Sequence, residues 1–361
     1  MKLPPLVYGY SNARARGLKG AMLKKDFFDE LLNVRTIDGM VELLQRTYYK
    51  NDLIEASIRY KGSRLIESGC ARYYVKVAEK IRKMTPKDDV QVINSFLLKW
   101  DLLNLKTILQ YKKRAFPFQE IKHRLVPAGS LDFYALSKIY EADEKELVSE
   151  IRRTKFGNDL FSQSMQGFTP GLWKNLKSGI RNLDNISQAQ TMLDASSFLL
   201  IKAAFDPHIK SSPDAKSIFK IINKEIDMKN ILIVERMKTH GVKEQEKITS
   251  RLMKGGRLNQ DLLSSLISAT DLKTSTNVLG NFIHHLKTSE VDSLVGLEIA
   301  LEKAITQEKI KIFMKSVFSV GTLIGFLMLM EEEIGNIRKI AKGKEYGISN
   351  DKIRNTLVMV N

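Results

Sequence analysis

Apolar residues recur three and four positions apart over long stretches of the chain, which is the spacing of one face of an α-helix. Large side chains keep this spacing between 90 and 109, at Ile93, Phe96, Leu97, Trp100, Leu103 and Ile108. The spacing returns at Ile218, Ile221, Ile222, Ile226, Ile233 and Val234. Alternating apolar and polar runs between Asn-Gly or Asp-Gly turns, which indicate β-hairpins, are not found. The pattern predicts an all-α fold.

Capping residues and prolines indicate where these helices start and stop. Asp26 and Thr36 each precede a short amphipathic run, and Asn350 or Asp351 precedes another, so we expect them to cap helices. Prolines 86, 117, 127, 170, 207 and 213 fall between periodic stretches. The longest uncharged stretch, 316–330, is shorter than the ~20 residues of a membrane-spanning helix. We expect that stretch to be buried core.

The chain also contains an internal repeat. The segment VELLQRTYYKNDL at 41–53 aligns without a gap on VSEIRRTKFGNDL at 148–160, with six identical residues in place. A weaker third copy is predicted at 262–279, with Thr270 in the place of Thr47 and Thr154.

A second repeated element is an acidic residue followed three positions later by asparagine. It occurs as Asp101 with Asn104, as Asp227 with Asn230 and as Glu333 with Asn336, and Asn12 belongs to a degenerate fourth copy. The spacing puts both side chains on one helix face. Two interpretations are open: each asparagine pins a neighbouring helix pair through hydrogen bonds, or the three copies are equivalent contacts with a partner.

Downstream of the first two copies, the segment 125–132 resembles the segment 252–259, with glycines at 129 and 256. The chain is therefore roughly threefold repetitive, in units of about one hundred residues. We place three helical repeat domains at 1–88, 89–212 and 213–361.

The net charge of the chain indicates which classes of partner it is expected to bind. Lysine and arginine number 58 against 41 acidic residues, a net charge of +17 that favours nucleic acid, lipid headgroups or an acidic protein. Cys70 is the single cysteine, so no intrachain disulfide is possible, which fits a reducing cytoplasm. We expect Cys70 to be a small core residue.

Motifs for catalysis, cofactors and metals are missing from the sequence, so we predict none of these sites. No phosphate-binding P-loop is present, and the adjacent His284 and His285 point about 100° apart on a helix, unlike a metal-binding pair. RNA binding is disfavoured because the aromatic residues lie among apolar ones, where we expect them to pack inside. These are Phe96, Trp100, Phe219, Phe313, Phe318 and Phe326.

Four motifs in order along the chain carry a resemblance to a known family. They are YGYSNARAR at 8–16, WDLLNLKTIL at 100–109, LVPAGSL at 125–131 and EEEIGNIRKIAKGKEYGI at 331–348. They resemble the C subunit of the archaeal and bacterial V/A-type rotary ATPases, which is related to the d subunit of eukaryotic V-ATPases. The tail is the most specific part of the resemblance.

The resemblance implies three similar helical domains around a pseudo-threefold axis in a funnel-shaped, non-catalytic rotor adaptor. Its partners are then the proteolipid ring, the central-shaft subunits and the cytoplasmic membrane surface, at which the chain is peripheral, and not nucleic acid. Arg14, Arg16, Arg338 and Lys344 are candidates for positions near an interface or a helix terminus. The basic excess is expected on the membrane-facing side. The alternative function is a basic helical scaffold that binds an acidic protein or RNA.

Overall fold

The computed structural model describes residues 4–160, 201–208 and 212–360, apart from 243, 254, 281, 284, 285, 287, 288 and 290. Every regular element within these residues is a helix, so the all-α prediction is confirmed. His284 and His285, with the predicted absence of a metal site there, lie outside the described residues.

The first half of the chain contains α1 (Pro4–Gly20), α2 (Lys25–Asn33), α3 (Ile37–Leu44), α4 (Lys50–Ser57), α5 (Gly62–Met84), α6 (Val90–Lys112), α7 (Phe118–Ile121), α8 (Phe133–Glu141), α9 (Leu147–Arg153) and α10 (Lys155–Leu160). Residues 201–208 are also helical. The second half contains α11 (Pro213–Thr239), α12 (Gln245–Thr249), α13 (Gln260–Ser268), α14 (Leu272–Gly280), α15 (Leu294–Lys315), α16 (Val320–Glu345) and α17 (Asn350–Thr356).

One of the predicted helix caps is confirmed and two are wrong. The Thr36 hydroxyl accepts the Gly39 N–H at the start of α3, as predicted. Asp26 instead lies in the first turn of α2, which starts at Lys25, two residues earlier than a cap at Asp26 predicts; the N–H of Leu23, just before this helix, is held by Glu333 from α16. The α17 helix follows Ser349, so Asn350 and Asp351 lie inside it rather than capping it.

The long helix α16 lies at the centre of the molecule. It packs against α1, α2, α3, α5, α6, α11, α15 and α17. All its residues from Val320 to Met330 are buried, which confirms most of the predicted apolar core stretch. The stretch begins with a turn, however, in which Val317 and Phe318 are exposed, so the prediction that Phe318 packs inside is wrong. None of the described helices is both long and apolar enough to cross a membrane.

Three helices of equal length show the repeat in three dimensions. The helices α2, α8 and α13 each have nine residues, and each begins two positions after a leucine, at Leu23, Leu131 and Leu258. Their inward positions agree as well: Phe28, Leu136 and Leu263 are buried at the fourth residue of each helix. The three segments are therefore equivalent elements in one recurring arrangement.

The 41–53 and 148–160 copies also adopt matching local structure. Thr47 and Thr154 each donate a hydroxyl hydrogen bond to the carbonyl three residues earlier, 2.6 and 2.7 Å away. The proposed third copy is wrong, because Thr270 lies between α13 and α14, before rather than after the second helix of its unit. Because α13 is equivalent to α2, α14 corresponds to α3. The predicted alignment of Thr270 with Thr47 instead pairs α13 with α3, so it is displaced by one helix.

The domain boundaries at 88 and 212 stay a prediction. Both fall just before long helices, since α6 begins at Val90 and α11 at Pro213. One apolar cluster runs through all three segments, from Tyr8 to Val360, and a second one is confined to residues between 228 and 301. The three segments thus share a core.

Candidate partner interface and its repeated clamps

The three repeated asparagines make the same pair of hydrogen bonds. Each donates from Nδ2 to a backbone carbonyl 22 or 23 residues further on, and its Oδ1 accepts the N–H of the same residue. The donated and accepted distances are 2.7 and 2.8 Å for Asn104 with Val126, 2.9 and 2.8 Å for Asn230 with Met253, and 2.7 and 2.9 Å for Asn336 with Val358. All three side chains are buried.

Asn12 makes the same bidentate contact with a different element. Its Nδ2 donates to the Ser319 carbonyl and its Oδ1 accepts the Ser319 N–H, both at 3.1 Å. The partner is 307 residues away in sequence and lies in the turn between α15 and α16. Asn12 therefore joins the first helix to the last long hairpin.

Asp101 and Asp227 hold the backbone four and five residues after the asparagine contact. Asp101 accepts the N–H groups of Ser130 and Leu131 at 2.8 and 2.9 Å, and Asp227 accepts those of Arg257 and Leu258 at 2.6 and 3.2 Å. Asp101 with Asn104, and Asp227 with Asn230, thus each hold one loop at two points. We call each acid–asparagine pair a clamp, and we include Glu333 with Asn336.

The glycines at 129 and 256 make room for these carboxylates. A Cβ atom at Gly129 would lie 2.3 Å from Asp101 Oδ1, and one at Gly256 would lie 2.0 Å from Asp227 Oδ1. Atoms at those distances overlap, so glycine is required where the carboxylate approaches the loop. This explains the glycines that the sequence repeat contains.

The third clamp joins the two ends of the chain. Glu333 accepts the Leu23 N–H at 2.7 Å, the place that Asp101 and Asp227 give to Leu131 and Leu258. It also accepts the hydroxyl of Tyr49 at 2.8 Å and that of Tyr48. The loop before α2, near the N-terminus, therefore completes a unit whose clamp comes from α16.

Burial raises the pKa of Asp101, Asp227 and Glu333. The backbone and side-chain hydrogen bonds that these carboxylates accept act in the opposite direction, because they favour the charged form, but desolvation outweighs them. The carboxylates are thus held inside the fold rather than presented to solvent.

The four basic candidate residues have different surroundings. Arg16 donates to the Ser316 carbonyl at 3.0 Å, and Lys344 donates to the Leu32 carbonyl at 2.8 Å and to that of Val34, at the end of α2. Arg338 is half-buried. Arg14 is exposed and makes no hydrogen bond or ion pair with the part of the chain that the structure describes. Only Arg16 and Lys344 are shown to lie at helix ends.

A central cavity lies between the clamp-bearing helices. It has a volume of about 340 Å³ and is lined by α6, α11, α15 and α16. Lys99, Glu225 and Glu331 all line it, and each stands two residues before the acid of its clamp. Equivalent positions of three equivalent helices therefore face one space.

Ion pairs connect the walls of this cavity. Lys309 from α15 lies 2.7 Å from Glu225 and 2.9 Å from Glu332, and Lys99 lies 2.5 Å from Glu331. Burial raises the pKa of Glu225, but the neighbouring Lys309 and Lys99 outweigh burial and bring this pKa down to about 2. The pairs tie α6, α11, α15 and α16 to each other.

These cavity residues were missed by the sequence analysis. The signal was present, because a fixed offset of two residues from each clamp acid finds Lys99, Glu225 and Glu331. The three differ in charge, so identity between copies could not reveal them. Lys309 does not stand at a fixed distance from any repeated motif, so the sequence gives no comparable indication of its role.

The family model and the related proteins that match this chain indicate the same family. The model of the ATP synthase (C/AC39) subunit family matches residues 11–356. The C subunit of the A-type ATP synthase of Methanosarcina barkeri is 25% identical over 357 residues, covering 98% of this chain and 93% of that protein. The C subunits from Methanocaldococcus jannaschii and Pyrococcus horikoshii are each 24% identical, covering 97% and 96% of this chain and 86% and 89% of those proteins.

The match includes the three clamp asparagines, Asn12 and the helices around the central cavity. The chain belongs to the ATP synthase (C/AC39) subunit family, whose members are structural rather than catalytic subunits of a membrane-associated rotary ATP synthase.

Proposed function

We propose that this chain is the rotor adaptor of a V/A-type rotary ATPase or ATP synthase. In this role it couples the proteolipid ring in the membrane to the central-shaft subunits and turns with both. The chain is peripheral, at the cytoplasmic face of the membrane. Its task is to transmit torque, for ATP-driven ion transport or for ATP synthesis.

The observation that carries this proposal is the convergence of three equivalent helices on one cavity. The helices α6, α11 and α16 each carry a clamp and each contribute the residue two positions before it to the cavity wall. This geometry supports a pseudo-threefold axis through the cavity and a funnel made of three similar domains. A body with such an axis suits a place between a ring and a shaft that share one axis.

A torque-carrying adaptor also needs resistance to shear between its units. The first two clamps each fix one loop at two points, and the third joins the two ends of the chain through Leu23 and Val358. The clamp side chains are at most 4% exposed. We therefore propose that Asn104, Asn230 and Asn336 act as internal pins rather than as partner contacts. Buried hydrogen bonds of this kind rigidify a fold because breaking them leaves polar groups unpaired.

Co-purification tests the proposed place in the complex. We expect the chain to migrate with the proteolipid ring and with the shaft subunits when the native complex is purified. Removal of the chain is expected to leave ATP hydrolysis by the catalytic head intact while ATP-driven ion transport is lost. A chain that associates with neither ring nor shaft would contradict the proposal and return the basic scaffold as the alternative.

A further inference from the structure

The last residues of α15 and the turn that follows present apolar side chains to solvent. Met314, Val317 and Phe318 are 61%, 60% and 45% exposed, within five consecutive residues. Scattered single apolar residues are normal on a protein surface, whereas a cluster marks an interaction site. This turn is also the one place where the predicted core stretch leaves the core.

The fold holds this turn in a strained conformation. Phe318 has a φ of 53°, in the left-handed region that a bulky residue rarely adopts. Asn12 binds both backbone groups of the next residue, Ser319, and the Thr322 hydroxyl donates to the Ser316 carbonyl at 2.7 Å. Strain maintained by surrounding contacts is typical of functional sites. Here it keeps the Phe318 ring exposed.

Basic residues surround the turn. Lys315 is the last residue of α15, just before the turn, and Lys220 lines the same groove of about 670 Å³. Both are exposed, and neither forms an ion pair with the described residues. Two acidic residues, Asp214 and Glu308, line the same groove, but five basic residues line it as well, namely Lys220, Lys224, Arg257, Lys311 and Lys315. Exposed apolar groups and an excess of positive charge thus occur together.

We propose that this surface docks on an anionic lipid membrane. We call it the turn surface and define it by Met314, Lys315, Val317, Phe318 and Lys220. Exposed apolar side chains enter the headgroup region, while the lysines bind lipid phosphates. A membrane is favoured over a protein partner because the exposed apolar side chains lie beside a groove in which five basic residues outnumber two acidic ones, and an anionic lipid surface matches both features.

This inference deepens the proposed function, since it names the side of the adaptor that meets the membrane. It can be tested separately, because vesicle binding is measured on the isolated chain while rotor coupling is measured in the complex. A chain that fails to bind vesicles can still couple ring and shaft, and the reverse also holds.

The test is co-sedimentation with vesicles of phosphatidylcholine alone or with about 30% phosphatidylglycerol, at about 0.1 M salt. We expect binding to the anionic vesicles only. Lys315→Gln and Lys220→Gln should each weaken it about fivefold. The double variant Val317→Ser/Phe318→Asn should weaken it about tenfold by removing apolar contact. Asparagine suits position 318 because it tolerates the left-handed backbone.

Matched controls lie elsewhere on the surface. Ile58 and Tyr134 are 80% and 71% exposed, so Ile58→Ser/Tyr134→Asn removes similar apolar surface away from the turn. Lys61→Gln removes an exposed charge that makes no ion pair with the described residues. We expect these variants to bind anionic vesicles like the unmodified chain. Melting temperatures establish that all variants are folded.

A second measurement follows the turn itself. In Phe318→Trp, the added tryptophan emission should shift to shorter wavelength with anionic vesicles and be quenched by brominated lipid, whereas that of Tyr134→Trp should not. Absence of vesicle binding, or equal losses in the control variants, would overturn the proposal. If the turn variants instead lose binding to the detergent-solubilised ring while vesicles are not bound, the partner is protein and the lipid assignment is wrong.

Discussion

At the residue scale, the clamps show how a few polar side chains fix large apolar helices in register. An asparagine amide has an NH2 group that can donate and an oxygen that can accept, and these match the carbonyl and the N–H of a single residue. Asn104, Asn230 and Asn336 use both groups in this way. Leucine is similar in size but can make neither bond.

Replacing one clamp asparagine by leucine should therefore destabilise the fold. The exchange leaves a buried N–H and a buried carbonyl without partners, which costs about 1–3 kcal/mol in the free energy of unfolding. Urea unfolding of Asn104→Leu, Asn230→Leu and Asn336→Leu measures this loss. The exposed Asn51 is the control, and Asn51→Leu should change the free energy by less than about 0.5 kcal/mol.

The two interpretations of these asparagines give different outcomes in this experiment. Internal pins lower stability while assembly with ring and shaft survives. Partner contacts would leave the isolated chain melting normally while assembly fails, and that result would refute the pin role.

Replacing glycine by alanine should change the free energy of unfolding in opposite directions at two positions. Gly129→Ala would place a Cβ against the Asp101 carboxylate, so it should destabilise by about 1–3 kcal/mol. Gly335 lies within α16 with nothing within 4 Å of an added Cβ, so Gly335→Ala should stabilise by about 1 kcal/mol. Thermal unfolding of the two variants compares them directly. Destabilisation of similar size in both would contradict the close approach at Gly129.

At the element scale, Lys309 joins three helices through two carboxylates. It comes from α15 and contacts Glu225 on α11 and Glu332 on α16. Removal of one partner of such a group costs more than the pair itself contributes, because a buried charge is left uncompensated. The helices around the cavity thus depend on each other through charge as well as through apolar packing.

The depressed pKa of Glu225 predicts a pH dependence. Because this pKa is about 2 in the folded chain, below the ordinary value of 4.5, ionised Glu225 stabilises the fold above the ordinary value. That contribution is lost as the pH falls toward about 2. The stability difference between the unmodified chain and Glu225→Gln should thus be largest near about pH 6 and shrink below about pH 4.

Urea unfolding of both chains at several pH values measures this difference in the free energy of unfolding. Glu42 is exposed, so Glu42→Gln should give a small difference that does not change with pH. A Glu225→Gln difference that grows on acidification would show that Lys309 does not hold the carboxylate ionised.

Much of the helical structure could be predicted from the sequence, and the exceptions have physical reasons. Spacing predicted α6 and α11, since one face of each is apolar over many turns. The start of α2 was predicted two residues late, and the Glu333 carboxylate that holds the backbone before this helix lies 310 positions away. Local patterns carry no information about such a contact.

The candidate site was predictable only where it repeats. Asn104, Asn230 and Asn336 recur with an acid at fixed spacing, and the structure gives them equivalent contacts. Lys309 and Phe318 are single features, and their surroundings depend on how distant helices meet. The exposure of Phe318 in particular reverses what its apolar neighbours indicate.

At the scale of the whole molecule, the chain closes on itself. The loop before α2 is held by Glu333 from α16, and Lys344 binds the end of α2. A mechanical link between the two ends resists the separation of units that torque would produce. We propose that the lysines of the turn surface face the membrane, so that part of the net charge of +17 lies on the membrane-facing side.

A rotor adaptor rotates with the shaft, and a bead attached to this chain would make the rotation visible. Ile58 is 80% exposed, so Ile58→Cys provides an attachment point for a bead. Cys70 does not compete, because it is buried and burial raises its pKa to about 12. In a complex immobilised through its catalytic head, we predict that the bead turns in one direction when ATP is added. A bead that stays still while one on the shaft turns would contradict the account.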